Sequence, residues 1–107
     1  MEQTIFKVRV SPLEIQEQLE KNLHEELVFS DSYDLGNGTF ILILVYNKYY
    51  MRTSGDIGLV IVCENTTGKT LIKITVTGSG AGLFSLDWGA GGDFIKRVED
   101  VISEYII

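Results

Sequence analysis

The sequence predicts an α+β domain: a two-layer sandwich in the order β-α-β-β-β-β-β-α, with both helices on one face of a mostly antiparallel sheet. Three observations lead there. Residues 4–10 (TIFKVRV) alternate with the period of a half-buried strand. Two segments, one after SPLE and one reading FIKRVEDVISEYII, carry apolar residues at helical spacing. Between them lie strand-like runs separated only by short turn signals. At 107 residues the chain has room for one core and one domain, residues 1–107.

In the first strand Phe6, Val8 and Val10 share one face, and Ile5, Lys7 and Arg9 the other. Ser11 then supplies a helix cap, Pro12 suits the first helical position, and Glu14 completes a capping box. The helix carries an apolar stripe of Ile15, Leu19, Leu23 and Leu27, with Glu14, Glu17, Glu20, Glu25 and Glu26 mostly turned away. Five strand-like runs follow, near 27–35, 39–51, 57–64, 70–77 and 83–88. They are joined by Gly36-Asn37-Gly38, Thr53-Ser54-Gly55, Asn65 to Gly68, and the glycines from Gly78 to Gly82. An antiparallel meander follows.

One hairpin can be registered in advance. Asn65-Thr66-Thr67-Gly68 suits a type I turn with a left-handed glycine, which pairs Glu64 with Lys69. That register sets Ile57, Leu59, Ile61 and Cys63 beside Val76, Ile74, Ile72 and Thr70 on one apolar face. The opposite face holds Val60, Val62 and Leu71 with Lys73 and Thr75. In FILILVYNKYYM both faces are apolar, Phe40, Leu42, Leu44 and Tyr46 alternating with Ile41, Ile43 and Val45, so the sequence leaves open which set meets the helices.

The stretch GSGAGLFSLDWGAGGDF, Gly78 to Phe94, places glycine clusters on both sides of a short apolar piece. An anion loop would set Gly89, Gly91 and Gly92 with Lys96 and Arg97 at the start of the last helix. The spacing matches neither G-x-G-x-x-G nor G-x-x-x-x-G-K-[ST], and Asp93 can itself cap that helix, so flexible joints around a strand are the preferred reading. The last helix presents Phe94, Val98, Val101 and Tyr105, widened by Ile95, Ile102 and Ile106, and Asp100 can pair with Lys96 or Arg97.

Composition narrows the function classes. A net charge of -6 and a pI near 4.6 argue against binding a nucleic-acid backbone, which needs a cationic surplus. One cysteine allows no internal disulfide, the first residues lack the apolar core of a secretion signal, and no apolar run is long enough for a membrane span. A cytoplasmic protein is expected, and Asn65-Thr66-Thr67 is read as a turn rather than a glycosylation site. His24, the one histidine, reads as a solvated side chain, Cys63 as a buried thiol and Trp88 as core or core rim. Asp31, Asp34 and Asp87 have no carboxylate partner at a recognisable spacing. No cofactor motif is present in the sequence.

What remains is surface. Lys7, Arg9 and Lys73 lie opposite the expected core with Lys69 alongside, and Val60, Val62 and Leu71 add apolar area. The element order resembles a reduced form of the helix-grip arrangement, which implies an apolar ligand held between a curved sheet and the C-terminal helix. The tail FSLDWGAGGDFIKRVEDVISEYI, with its DWG and glycine cluster, resembles a family of small bacterial proteins known only as a domain of unknown function. That resemblance carries no catalytic residues to this chain. The leading expectation is a binding or assembly module that forms a homodimer through Tyr46, Val60, Val62, Leu71 and Lys73. A carrier of a small apolar ligand is the alternative, and an enzyme comes third.

Overall fold

A computed structural model describes residues 3–50, 55–78 and 88–107. The elements run β1 (Gln3–Val8), α1 (Pro12–Asn22), β2 (Glu26–Asp34), β3 (Phe40–Tyr50), β4 (Gly55–Glu64), β5 (Thr70–Gly78) and α2 (Trp88–Ile102), followed by a 3-10 turn, Ser103–Tyr105. The strands form one antiparallel sheet in the order β1-β5-β4-β3-β2. This is the expected α+β architecture. The expected strand at 83–88 falls on residues outside the described set, except for Trp88, which opens α2 instead.

The element order explains why α1 lies across the sheet. It must carry the chain from β1 at one edge to β2 at the other, four strand spacings or about 19 Å. Eleven helical residues supply about 16 Å of that distance. The helix starts where the sequence places it: the Ser11 hydroxyl accepts from the Glu14 backbone N–H at 3.3 Å, and Pro12 is the first helical residue. It ends earlier than its stripe suggests. Leu23 caps it and is buried, whereas Leu27 belongs to β2 and is exposed.

Both helices pack on one sheet face. Ile15 and Leu19 of α1 and Phe94, Val98 and Ile102 of α2 meet Leu42, Leu44, Ile57, Leu59, Ile61, Ile72 and Ile74 in a single core. The α2 core column therefore has strict i, i+4, i+8 spacing, with Val101 and Tyr105 at its margin. The chain then returns to the β1 edge, where Arg9 donates its N–H to the Tyr105 carbonyl at 3.0 Å and Ile107 donates to the Lys7 carbonyl at 2.9 Å. The far edge, β2, carries a bulge between Leu27 and Phe29 and the acidic residues Asp31 and Asp34, features that discourage edge-to-edge strand addition.

Two further sequence expectations need correction. The β4–β5 hairpin pairs Leu59 with Val76, Ile61 with Ile74, Cys63 with Ile72 and Glu64 with Leu71, two residues away from the expected register. An even shift leaves every side chain on its expected face. The cause lies on the neighbouring strand: Asn65 goes on pairing with β3, its N–H reaching the Phe40 carbonyl and its side chain bonding the Phe40 N–H at 2.8 Å and the Gly38 carbonyl at 2.9 Å. The turn itself is as expected, with Gly68 donating to the Asn65 carbonyl at 3.0 Å and holding a left-handed φ of 90°. The second correction concerns α2. It begins at Trp88, so Asp93 lies in its second turn and cannot be its N-cap.

Candidate functional site

β3 resolves the ambiguity that its sequence leaves open. Leu42, Leu44 and Tyr46 pair with Cys63, Ile61 and Leu59 and are buried beneath the helices, while Ile41, Ile43 and Val45 point the other way. Tyr46 is 2% exposed and cannot belong to an outer-face interface. The other four expected interface residues, Val60, Val62, Leu71 and Lys73, do share that face.

The register lays out the outer face in rows. Asp31, Ile43, Val62, Lys73 and Ile5 form one row from β2 to β1. Tyr33, Ile41, Glu64, Leu71 and Lys7 form the next, and Phe29, Val45, Val60 and Thr75 flank them on the other side. None of the described elements packs over these rows; both helices contact the sheet from the opposite side. Phe29, Tyr33 and Ile5 are each about half exposed, at 52%, 48% and 53%. Five strands at about 4.8 Å spacing, most of them nine to eleven residues long, give a face of roughly 700 Å².

Within this apolar field lies one ion pair. The Glu64 carboxylate is 3.1 Å from the Lys73 ammonium and accepts at 2.8 Å from both the N–H and the hydroxyl of Thr66. Burial opposes ionisation of Glu64, but these hydrogen bonds and the lysine charge outweigh it and hold the carboxyl below the usual glutamate range. At the β2 edge Tyr33 donates its hydroxyl to Asp31 at 2.8 Å, which raises the phenol pKa. The face is thus anionic at the β2 edge through Asp31, carries a paired charge couple between β4 and β5, and is cationic at the β1 edge through Lys7.

The other expected site does not assemble. Gly89, Gly91 and Gly92 lie within the helical part of α2, and Lys96 and Arg97 come in its third turn instead of its first. Lys96 pairs with Asp100 at 3.0 Å, and Arg97 Nε is 2.7 Å from Glu25 Oε2. Glu25 is a polar residue that sequence reasoning assigned only to the solvated helix face. Its side chain is 4% exposed, it also lies 3.5 Å from the Lys48 ammonium, and its Oε1 has no hydrogen-bond partner among the described residues.

Cys63 is buried on the helix-covered face of β4, where desolvation, reinforced by the neighbouring Glu64 charge, pushes the thiol up to about 12. That makes it a poor nucleophile at neutral pH. His24 is exposed. Among the described residues no three His, Cys, Asp or Glu side chains gather as a metal set, and no helix is long and apolar enough to cross a membrane.

No curated protein and no solved structure matches the chain. A family model matches residues 1–106, nearly the whole single-sheet fold described above, and the chain belongs to that family, the family of unknown function DUF6054.

Proposed function

We propose that this protein is a cytoplasmic assembly module whose outer sheet face meets the same face of a second copy. The observation that carries the reading is the apolar field centred on Ile43, Val60 and Val62, which no described element covers. The whole outer face, roughly 700 Å², is close to one side of a standard protein interface, about 800 Å². The free, buried Cys63 fits a reducing compartment.

Charge favours a second copy as the occupant. β4 is the middle strand, so a two-fold axis along it lays the β1–β5 edge of one protomer over the β2 edge of its partner. Lys7 on β1 then lies over the partner's β2, one row from Asp31, and Lys73 on β5 lies over the partner's β3, while Val60 and Val62 meet their own copies. An axis across the strands would instead set each edge against itself, lysine facing lysine. The Glu64–Lys73 pair is made within each protomer, so these two charges enter the interface already paired.

Ile43→Lys is a cleaner probe than a charge at Val62. Val62 pairs directly with Lys73, whereas Ile43 pairs with Asp31, which would accommodate a new lysine in the free protomer. Light scattering on a sizing column should give twice the 12.0 kDa chain mass for wild type and the single mass for Ile43→Lys. A wild-type chain that elutes as a monomer at its highest soluble concentration overturns the proposal. The carrier reading draws less support, because Phe94, Val98 and Ile102 are fully buried in the core between α2 and the sheet.

A further inference from the structure

A second feature lies at the end of β1, where the strand turns into α1 and the β4–β5 turn folds over beside it. The pairing of Val8 with Thr70 brings Lys7 and Arg9, either side of Val8, next to Lys69. Together they line a surface cleft of about 560 Å³, within the size range of small-molecule sites. No carboxylate side chain lines it. Three cations therefore share one cleft on a chain whose net charge is -6.

The two lysines are close enough to oppose each other. Lys7 is depressed below the ordinary lysine range, first by its side-chain contact with Lys69 and then by the charge of that residue. Neither has a carboxylate ion-pair partner among the described residues. Elsewhere on the surface the pattern differs, since Lys96 and Arg97 each find an acidic partner. An uncompensated like-charge pair costs stability unless an anion joins it.

The rest of the cleft suits an anion with an organic body. Arg9 is held in place by its Nη2 bond to the Glu104 carbonyl at 3.1 Å and by stacking 5.4 Å from the Tyr105 ring centroid, and a guanidinium keeps further N–H donors for an oxyanion. The Ser11 hydroxyl accepts from the Glu14 N–H, which leaves its own proton free to donate. The start of α1 adds a partial positive charge beside it. Val10 and Ile107 supply apolar wall. A phosphate monoester, carrying nearly two negative charges at neutral pH, matches this cationic set better than a single carboxylate does. A polyanion is disfavoured by the acidic remainder of the chain.

We propose that this cleft binds the phosphate group of a small organic phosphate, held by Lys7, Arg9 and Lys69 with its carbon portion against Val10 and Ile107. Lys7 also borders the outer face, so the titration is run on wild type and on the monomeric Ile43→Lys chain, which separates this test from the assembly proposal. The experiment is an amide NMR titration of the full chain with phenyl phosphate, inorganic phosphate and acetate as probes. Phenyl phosphate should give saturable shifts confined to residues 7–11, 68–70 and 107, with inorganic phosphate weaker and acetate weaker still. Lys69→Gln, an exposed turn substitution, should weaken phenyl phosphate by about tenfold. Lys21→Gln, an exposed change on α1, should leave it unchanged. Absence of saturable shifts, equal responses to acetate and phosphate, inorganic phosphate binding as tightly as phenyl phosphate, or an unaltered affinity in Lys69→Gln would each overturn the proposal.

Discussion

Along β3 the two faces of the sheet are built from nearly the same residue types and meet different surroundings. Leu42, Leu44 and Tyr46 are buried, while Ile41, Ile43 and Val45, one residue out of phase, are only partly buried by their neighbours. The difference lies in supply of cover. Two helices, each about 10 Å across, cannot blanket more than one face of a sheet about 24 Å wide. Even on the covered side they fall short of β2, where Ser30 and Ser32 stand exposed. A strand that is apolar on both faces thus states a need for cover that this chain's described helices meet once.

The sharpest test of that contrast uses two adjacent residues of β4. Ile61→Ala empties a fully buried site and should cost about 3–4 kcal/mol in urea unfolding. Val62→Ala, measured in the monomeric Ile43→Lys background, should cost about 1 kcal/mol or less. Equal costs would mean that the outer face is as covered as the inner one.

Glu64→Gln probes the polar mark on the outer face. It replaces the charged acceptor for Lys73 and Thr66 and should destabilise by about 1–2 kcal/mol at neutral pH. Because the folded carboxyl titrates below its unfolded value, near about 4.3, this stabilisation is full above that pH and lost as pH falls through the lowered folded value. The gap between wild type and Glu64→Gln should therefore close on acidification. A gap that is constant across that range would remove the charge from the explanation.

Smaller effects test the turn and the helix start. Gly68 holds φ at 90°, so Gly68→Ala should cost about 1 kcal/mol from the left-handed backbone alone. Gly92 is exposed and helical, with open space where a Cβ would go, so Gly92→Ala should stabilise by about 0.5–1 kcal/mol. A neutral or destabilising Gly92→Ala would return the helix start to Asp93. Cys63 belongs at the end of this series: an aromatic disulfide reagent at mild alkaline pH should label it no faster than the chain unfolds. Rapid labelling of folded protein would contradict the burial of the inner face.

The elements that could be read in advance are those fixed by neighbours in sequence. The alternation of β1, the Ser11 cap and the Asn65 to Gly68 turn each depend on a few adjacent residues, and each is present in the structure. What the sequence misplaces depends on partners far along the chain. The hairpin register moved by two because Asn65 answers to Phe40 and Gly38, about 25 residues away. The side of Tyr46 was open because it depends on which face the helices dock against. The start of α2 is hidden in the sequence because glycine is costly in an isolated helix, about 1 kcal/mol each relative to alanine, while the docking of Phe94, Val98 and Ile102 into the core helps to offset that cost. The phosphate cleft was half visible: Lys7, Arg9 and Lys69 stood out as charges, and only the pairing of Val8 with Thr70 brings them together.

Whether a second copy covers the open sheet face is decided by sedimentation equilibrium of the wild-type chain over a concentration series. A face-to-face dimer gives a mass of twice 12.0 kDa that falls toward 12.0 kDa only on dilution, and Ile43→Lys gives 12.0 kDa throughout. A wild-type mass of 12.0 kDa at every concentration, or an undiminished dimer in Ile43→Lys, would contradict it.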